Sequence, residues 1–124
     1  MLGINNIHAI VAVKDLNKAK DFYENTLGLT KIDENSGGIM YKSGDSKMFV
    51  YPSEYAGTNK ANSASWEVDS LEEAIADLKS KGVTFEHYDM PGVTVEGDVH
   101  VMGPMKAAWF KDPDGNILCL GNAM

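Results

Sequence analysis

The sequence predicts a pseudo-symmetric α+β domain in which one βαβββ unit is used twice. Two alignments within the chain carry this reading. Val13-Lys14-Asp15-Leu16 matches Val68-Asp69-Ser70-Leu71 at an offset of 55. Tyr41-Lys42-Ser43-Gly44-Asp45 matches Phe110-Lys111-Asp112-Pro113-Asp114 at an offset of 69. In each unit a strand pattern is followed by a helical stripe and then by further strands, the order expected when helices are segregated from a mixed sheet. The expected organisation is one domain over 1–124, with repeat one at about 1–55 and repeat two at about 61–124. The offsets differ by 14 residues (69 − 55), and the difference falls mainly in a long segment from Tyr88 to Met105.

The first unit opens with a strand over Ile4–Val13, where Ile10 and Val11 sit among small and β-branched residues. Asp15 is a good N-cap for the helix that follows. Leu16, Ala19, Phe22, Tyr23 and Leu27 recur at helical spacing, and Gly28 is the expected stop. Strands are expected near Leu29–Asp33, Gly38–Lys42 and Lys47–Pro52, with turns at Asn35–Gly38 and Ser43–Ser46. The second unit begins near Asn62, with a strand at Ser65–Val68. Ser70 and Glu73 have the spacing of a capping box. Leu71, Ala74, Ile75 and Leu78 form the apolar stripe, and Gly82 ends the helix. Val83–His87 reads as a strand, and Ala107–Lys111 and Asn116–Leu120 as a closing hairpin. Its connection, Asp112-Pro113-Asp114-Gly115, is a turn: Pro presets one φ, Gly supplies a positive one, and Asp bonds its own backbone.

Composition narrows the function classes. The chain has 124 residues, 44% of them hydrophobic and 23% charged, which is ordinary for a globular domain able to hold its own core. Eighteen acids against eleven bases give a net charge of −7, and all eleven bases are lysines. Nucleic acid and anionic membranes are therefore not expected as partners, since phosphate binding needs a basic footprint. The planar bidentate clamp of arginine is also missing, which disfavours multiply charged anionic ligands. No apolar run approaches the ~20 residues of a membrane span. Met1–Ile10 lacks the basic start and cleavage pattern of a secretory signal. A single cysteine, Cys119, allows no internal disulfide, so the cytoplasm is the expected compartment.

The segment Tyr88–Met105 is long for a compact domain and is expected to be a lid, a binding loop or a dimer arm. Met90, Val93, Val95, Val99, Val101, Met102 and Met105 make it too apolar for a solvated loop. Methionine suits an adaptable apolar pocket wall. The segment also fits a symmetric contact between two copies.

A family resemblance follows from particular residues. His8 with Val13, Asp15-Leu16 and Phe22-Tyr23…Leu27-Gly28-Leu29 resembles the opening of vicinal oxygen chelate proteins. These include glyoxalase I, bleomycin-resistance proteins, fosfomycin-resistance enzymes and extradiol dioxygenases. Trp66-Glu67-Val68-Asp69 and Phe110-Lys111-Asp112-Pro113-Asp114-Gly115-Asn116 resemble the second half. The resemblance implies two curved mixed sheets around a cavity, with the helices outside. It also implies association into a homodimer that covers the cavity. It leaves the reaction open, because one fold hosts lyases, dioxygenases, transferases, isomerases and plain binders.

Carried onto this chain, the family's metal-ligand positions fall at His8, Ser63 and Cys119, with Val50 as the position related to Cys119 by the offset of 69. His8 alone matches the usual ligand set. Zinc takes about four ligands from His, Cys and carboxylate, and manganese prefers oxygen. No metal cofactor is therefore expected, and His8 reads as a hydrogen-bonded cavity residue and Cys119 as an apolar thiol. The expected function is binding of a small, largely apolar organic molecule. His8, Ser63, Ser65 and Glu67 would make the polar contacts, and Met48, Val50, Met102 and Cys119 the apolar lining. A few polar groups on apolar walls is the usual form of such a site.

The alternative is a glyoxalase-like lyase or isomerase. It would be metal-dependent (Zn, Ni or Mn) through unconventional ligands such as His87 or His100, or metal-free with Glu67 or His8 as the catalytic base. A carboxylate in an apolar cavity has a raised pKa and suits that role. Tyr51, Tyr55 and Tyr88 are further candidates for contact near the cavity mouth.

Overall fold

A computed structural model of the chain describes residues 1–122. The elements in order are β1 (Ala9–Val13), α1 (Leu16–Lys20), β2 (Thr30–Asn35), β3 (Gly38–Ser43), β4 (Ser46–Pro52), β5 (Asn62–Glu67), α2 (Leu71–Ser80), β6 (Phe85–Glu86), β7 (Thr94–Glu96), β8 (Val99–Met102), β9 (Met105–Lys111) and β10 (Ile117–Gly121). The first sheet runs β1-β4-β3-β2, with β1 parallel to β4 and the rest antiparallel. The second runs β5-β10-β9-β8-β7, with β5 parallel to β10, and β6 also pairs with β9. The wiring of β1-β4-β3-β2 thus recurs as β5-β10-β9-β6, which is the twofold repeat expected from the sequence.

Both helix starts follow their caps. The Asp15 carboxylate accepts from the amides of Asn17 (2.9 Å) and Lys18 (3.3 Å), and the Ser70 hydroxyl accepts from the amide of Glu73 (3.3 Å). After Lys20 the first helix widens into a π-helical turn over Asp21–Thr26, which carries the fully buried Tyr23. One core joins the two repeats. Val11, Tyr23, Tyr41 and Val50 from the first meet Leu71, Ile75, Phe110 and Leu118 from the second. Phe22 meets Phe110 at a centroid distance of 6.4 Å.

One expectation changes and another gains detail. The residue pattern predicts the opening strand over Ile4–Val13, but it begins at Ala9, and Leu2–Ile4 forms a 3-10 turn. The reason is pairing: the ladder to β4 starts at Ala9 opposite Met48, so Ile4–His8 has no neighbouring strand, and Ile4 and Ile7 lie exposed. The Tyr88–Met105 segment, expected to be a lid, a binding loop or a dimer arm, carries strands of the second sheet. Half of it, Thr94–Met102, is the β7–β8 hairpin, which returns the chain to the outer edge of β9. There β6 pairs with Trp109 and Phe110, and β8 pairs with Met105–Ala107.

The Asp112–Asn116 turn does more than reverse the chain. The buried Asp112 carboxylate accepts from the Tyr23 hydroxyl (2.7 Å), the Asn116 side-chain amide (2.7 Å) and the Asp114 and Asn116 backbone amides (2.9 Å each). Asn116 also donates to the Ala12 carbonyl (2.7 Å), and the Lys14 amide donates to Asp114 (3.2 Å). The second repeat's turn is thereby stitched into the first repeat. Burial, and then the adjacent Asp112 charge, push the Tyr23 hydroxyl's pKa far up, so it stays a donor. The close approach needs Gly57: its φ is +74°, and a Cβ there would lie 1.9 Å from the Asp114 carbonyl oxygen.

Candidate functional site

Each sheet has one face on the core and one that no helix covers. Residues directly opposite each other across a ladder share a face, and neighbours along a strand alternate. In the second sheet the uncovered face carries the row Ser65–Cys119–Trp109–Glu86. Beside it runs the row Glu67–Gly121–Ala107–His100. Ala64, Leu118 and Phe110, and next Trp66, Leu120 and Ala108, occupy the core side. In the first sheet the uncovered face carries Ile10–Phe49–Met40 and Ala12–Tyr51. Phe49 stacks on Tyr51 (6.1 Å, 5°), and Ile10 is 60% exposed.

The register corrects the pairing of candidate positions. Val11 pairs with Val50, and Trp66 pairs with Leu120, so the repeat offset from β4 to β10 is 70 (120 − 50) rather than 69. The partner of Cys119 by symmetry is therefore Phe49, not Val50. The cause is one extra residue in the Asp112–Asn116 turn: four residues separate Lys42 from its partner Lys47, and five separate Lys111 from Ile117. A one-residue slip moves a side chain to the other face of a sheet. Val50 accordingly sits fully buried on the core face, and Cys119 on the opposite side of its sheet.

The remaining candidates separate into groups. Ser63 (half-buried), Ser65, Cys119, Met102 and Glu67 belong to the uncovered side of the second sheet, Ser65 and Glu67 being exposed. Met48 is buried on the core face of β4 but reaches a cleft of about 350 Å³ that Ala9, Ser65 and Glu67 also line. His8 is exposed and lies just before β1. Tyr55 is exposed.

The sheet face also holds residues that no sequence motif marks. Trp109 donates its indole N–H to the Asn62 side chain (2.9 Å) and lies edge-on to Tyr88 (5.6 Å) and His100 (4.7 Å). Trp109 and Asn62, with Tyr88, Met90, Ile117 and Lys60, line a depression of about 370 Å³. Met90 and Tyr88 come from the long segment. The available signal for Trp109 is the alternation through β9, which puts Trp109 on the side opposite Ala108 and Phe110.

His100 is wholly buried beneath this face. Its Nε2 accepts from the Tyr88 backbone amide (2.9 Å), which places the proton of the neutral ring on Nδ1. Among the described residues Nδ1 and the buried Tyr88 hydroxyl have no hydrogen-bond partner. Burial, and secondarily the nearby His87, hold the His100 pKa below its ordinary value, against a smaller opposite pull from the Ala107 and Asp98 backbone. His87 is engaged at the surface with Asp98 (2.8 Å), which also pairs with Lys79 (2.8 Å).

The residues do not fit the metal centre implied by the family's enzymes. At the corresponding positions only His8 and Cys119 carry ligand atoms. Burial pushes the Cys119 thiol up to about 11, so forming the thiolate that a metal binds costs more here than at a free cysteine. Among the described residues no three His, Cys, Asp or Glu side chains converge.

Comparison with known proteins agrees with the geometry. Residues 6–120 match the family model of the Glyoxalase/Bleomycin resistance protein/Dioxygenase superfamily, and the chain belongs to that superfamily. A glyoxalase family protein from Enterococcus faecalis shares the fold at a TM-score of 0.74 and 22% identity, covering 96% of this chain and 98% of that one. A superfamily member from Sphaerobacter thermophilus matches at 0.70 and 28%, over 97% and 98%. The genomically encoded fosfomycin resistance protein FosX from Listeria monocytogenes matches at 0.71 and 18%, over 94% and 91%. Among the described residues no helix is long and apolar enough to cross a membrane.

Proposed function

We propose that this superfamily member binds a small, largely apolar organic molecule on the uncovered face of its second sheet, without a metal. One observation carries the reading. The metal-ligand positions have become Ser63 and Cys119, while the same face keeps an aromatic and apolar depression walled by Trp109, Tyr88, Met90 and Ile117, with Asn62 as a polar group at its edge. The ligand lies against Trp109, and Ser65 and Cys119 flank it along the same row. His8 and Glu67 do not line this depression, so neither is assigned there as a contact or as a base.

A second copy of the chain is the expected partner. Leu2, Ile4 and Ile7 are 85–92% exposed and Ile10 on the open face of the first sheet is 60% exposed, apolar side chains that a second copy would cover. A symmetric dimer would cover this arm and close the open sheet faces. Sedimentation of a monomer at micromolar concentration would remove that part of the reading.

The test of function is elemental analysis and native mass spectrometry of protein purified without chelator or affinity-tag metal. The expected result is metal well below one equivalent, even after incubation with zinc, nickel and manganese. Small apolar molecules should then raise the Tm, and Trp109→Ala should abolish that rise. Near-stoichiometric metal that disappears in His8→Ala would overturn the proposal and make the chain a metal enzyme.

A further inference from the structure

A second binding site lies on the opposite side of the second sheet from Trp109. Between α2, the Leu27–Leu29 segment and the core face of β5, β9 and β10 is a slot of about 210 Å³. Its walls are apolar, with Leu29, Leu78, Phe110 and Leu120 at the back and Trp66 along one side. The indole of Trp66 is fixed by its N–H bond to the Ser43 hydroxyl (3.0 Å) and by stacking on Phe110 (6.4 Å, 24°). Among the described residues the charged groups lining the slot are two carboxylates, Glu67 and Asp77. Asp77 has a surface partner in Lys81 (3.3 Å), whereas no cation lies within ion-pair distance of Glu67 among the described residues. The slot meets the cleft beside β1 at Ser43, Trp66 and Glu67, so Glu67 stands at the junction of an apolar chamber and a wetter one.

We propose that this slot binds a small organic ammonium ion with a compact apolar body of about one ring. The volume sets the size, because an apolar cavity of about 150 Å³ is known to hold benzene. The lining sets the sign: carboxylates at the rim, no basic side chain in the wall, and an aromatic face able to hold a cation. The net charge of −7 adds to the attraction of a cation. The site is independent of the proposed ligand at Trp109, since Trp66 and Trp109 lie on opposite faces of the sheet.

The test uses the whole chain and three transparent probes of equal shape: cyclohexylmethylammonium, cyclohexylmethanol and cyclohexanecarboxylate. Trp109→Phe leaves Trp66 as the single tryptophan, whose fluorescence reports the slot. Backbone amide and indole NMR shifts on the unaltered protein locate the probe without any substitution. The ammonium should bind saturably in the low-millimolar range, with shifts at Trp66, Ala74 and Leu78. It should bind about fivefold more tightly than the alcohol, the scale of a partly exposed ion pair, and the carboxylate should not bind. Glu67→Gln with Asp77→Asn should bring the ammonium and alcohol affinities together. Equal affinity for all three probes, shifts clustered at Trp109, or no saturable shift would each overturn the proposal. Loss of the Trp109 site leaves this result untouched, so the two proposals fail separately.

Discussion

Acidification should unlock the buried His100, and the effect is large enough to measure. The neutral ring accepts the Tyr88 amide through Nε2, so a second proton must displace that bond and bury a charge beside Trp109. The folded-state pKa is held below the ordinary value, while the unfolded chain titrates near ~6.5. Between those two values the unfolded state binds the extra proton. Stability is therefore fully present above about pH 6.5 and falls as the pH drops towards the folded value. One proton sets an upper limit of about 1.4 kcal/mol per pH unit, or about 4–5 °C in Tm per unit for a domain of this size, and the slope within the window measures how far the folded value is depressed. His100→Gln is the control, because its side-chain oxygen can accept the Tyr88 amide but does not titrate. Thermal unfolding of both proteins should be compared from pH 7.5 to pH 5.5. That window avoids most of the carboxylate titrations, including Asp98, whose pKa Lys79 and then His87 hold down. The steeper fall should belong to the wild type alone. Parallel curves would refute the reasoning, showing that the proton is accommodated by water or by a shift of the Tyr88 segment at no cost.

Three other outcomes follow from the packing. Tyr23→Phe should cost about 1–3 kcal/mol in denaturant unfolding, because the buried Asp112 loses a 2.7 Å donor; a change under about 0.5 kcal/mol would show that a solvent molecule takes its place. Gly57→Ala should destabilise by more than about 1 kcal/mol, since the residue has positive φ and its Cβ would collide with the Asp114 carbonyl; unchanged Tm would mean that the Asp112–Asn116 turn yields freely. Cys119 should react with a thiol reagent at pH 8 far more slowly than a free thiol, its pKa being pushed up to about 11; denaturant should restore the rate, and a fast native reaction would contradict the burial.

Much of the fold is legible because its signals are local. Asp15 and Ser70 mark their helices, the alternation through β3 and β9 marks core strands, and the repeat offsets foretell the duplicated wiring. The start of β1 is not legible, because whether Ile4–His8 is a strand depends on a partner distant in sequence. The face of Val50 escapes for a sharper reason. A single added turn residue changes the offset from 69 to 70, and alternation converts that residue into a change of side. The cluster around His100 is hidden because its position depends on how the Tyr88–Met105 hairpin docks. Nothing in the segment's own composition distinguishes a buried histidine from a solvated one.

The outer edge of β9 is shared by two pieces of chain, β6 and β8, rather than occupied by one strand. This arrangement uncouples loop length from sheet register. Residues could be added to or removed from the tip of the β7–β8 hairpin without sliding β10 against β9 or moving any residue between faces. The stretch leading into the hairpin holds the Tyr88–Met90 wall, and Asp98, which pairs with Lys79 and His87, sits in the hairpin's turn. Changes at this one excursion can therefore reshape the wall of the depression while the duplicated framework stays as it is.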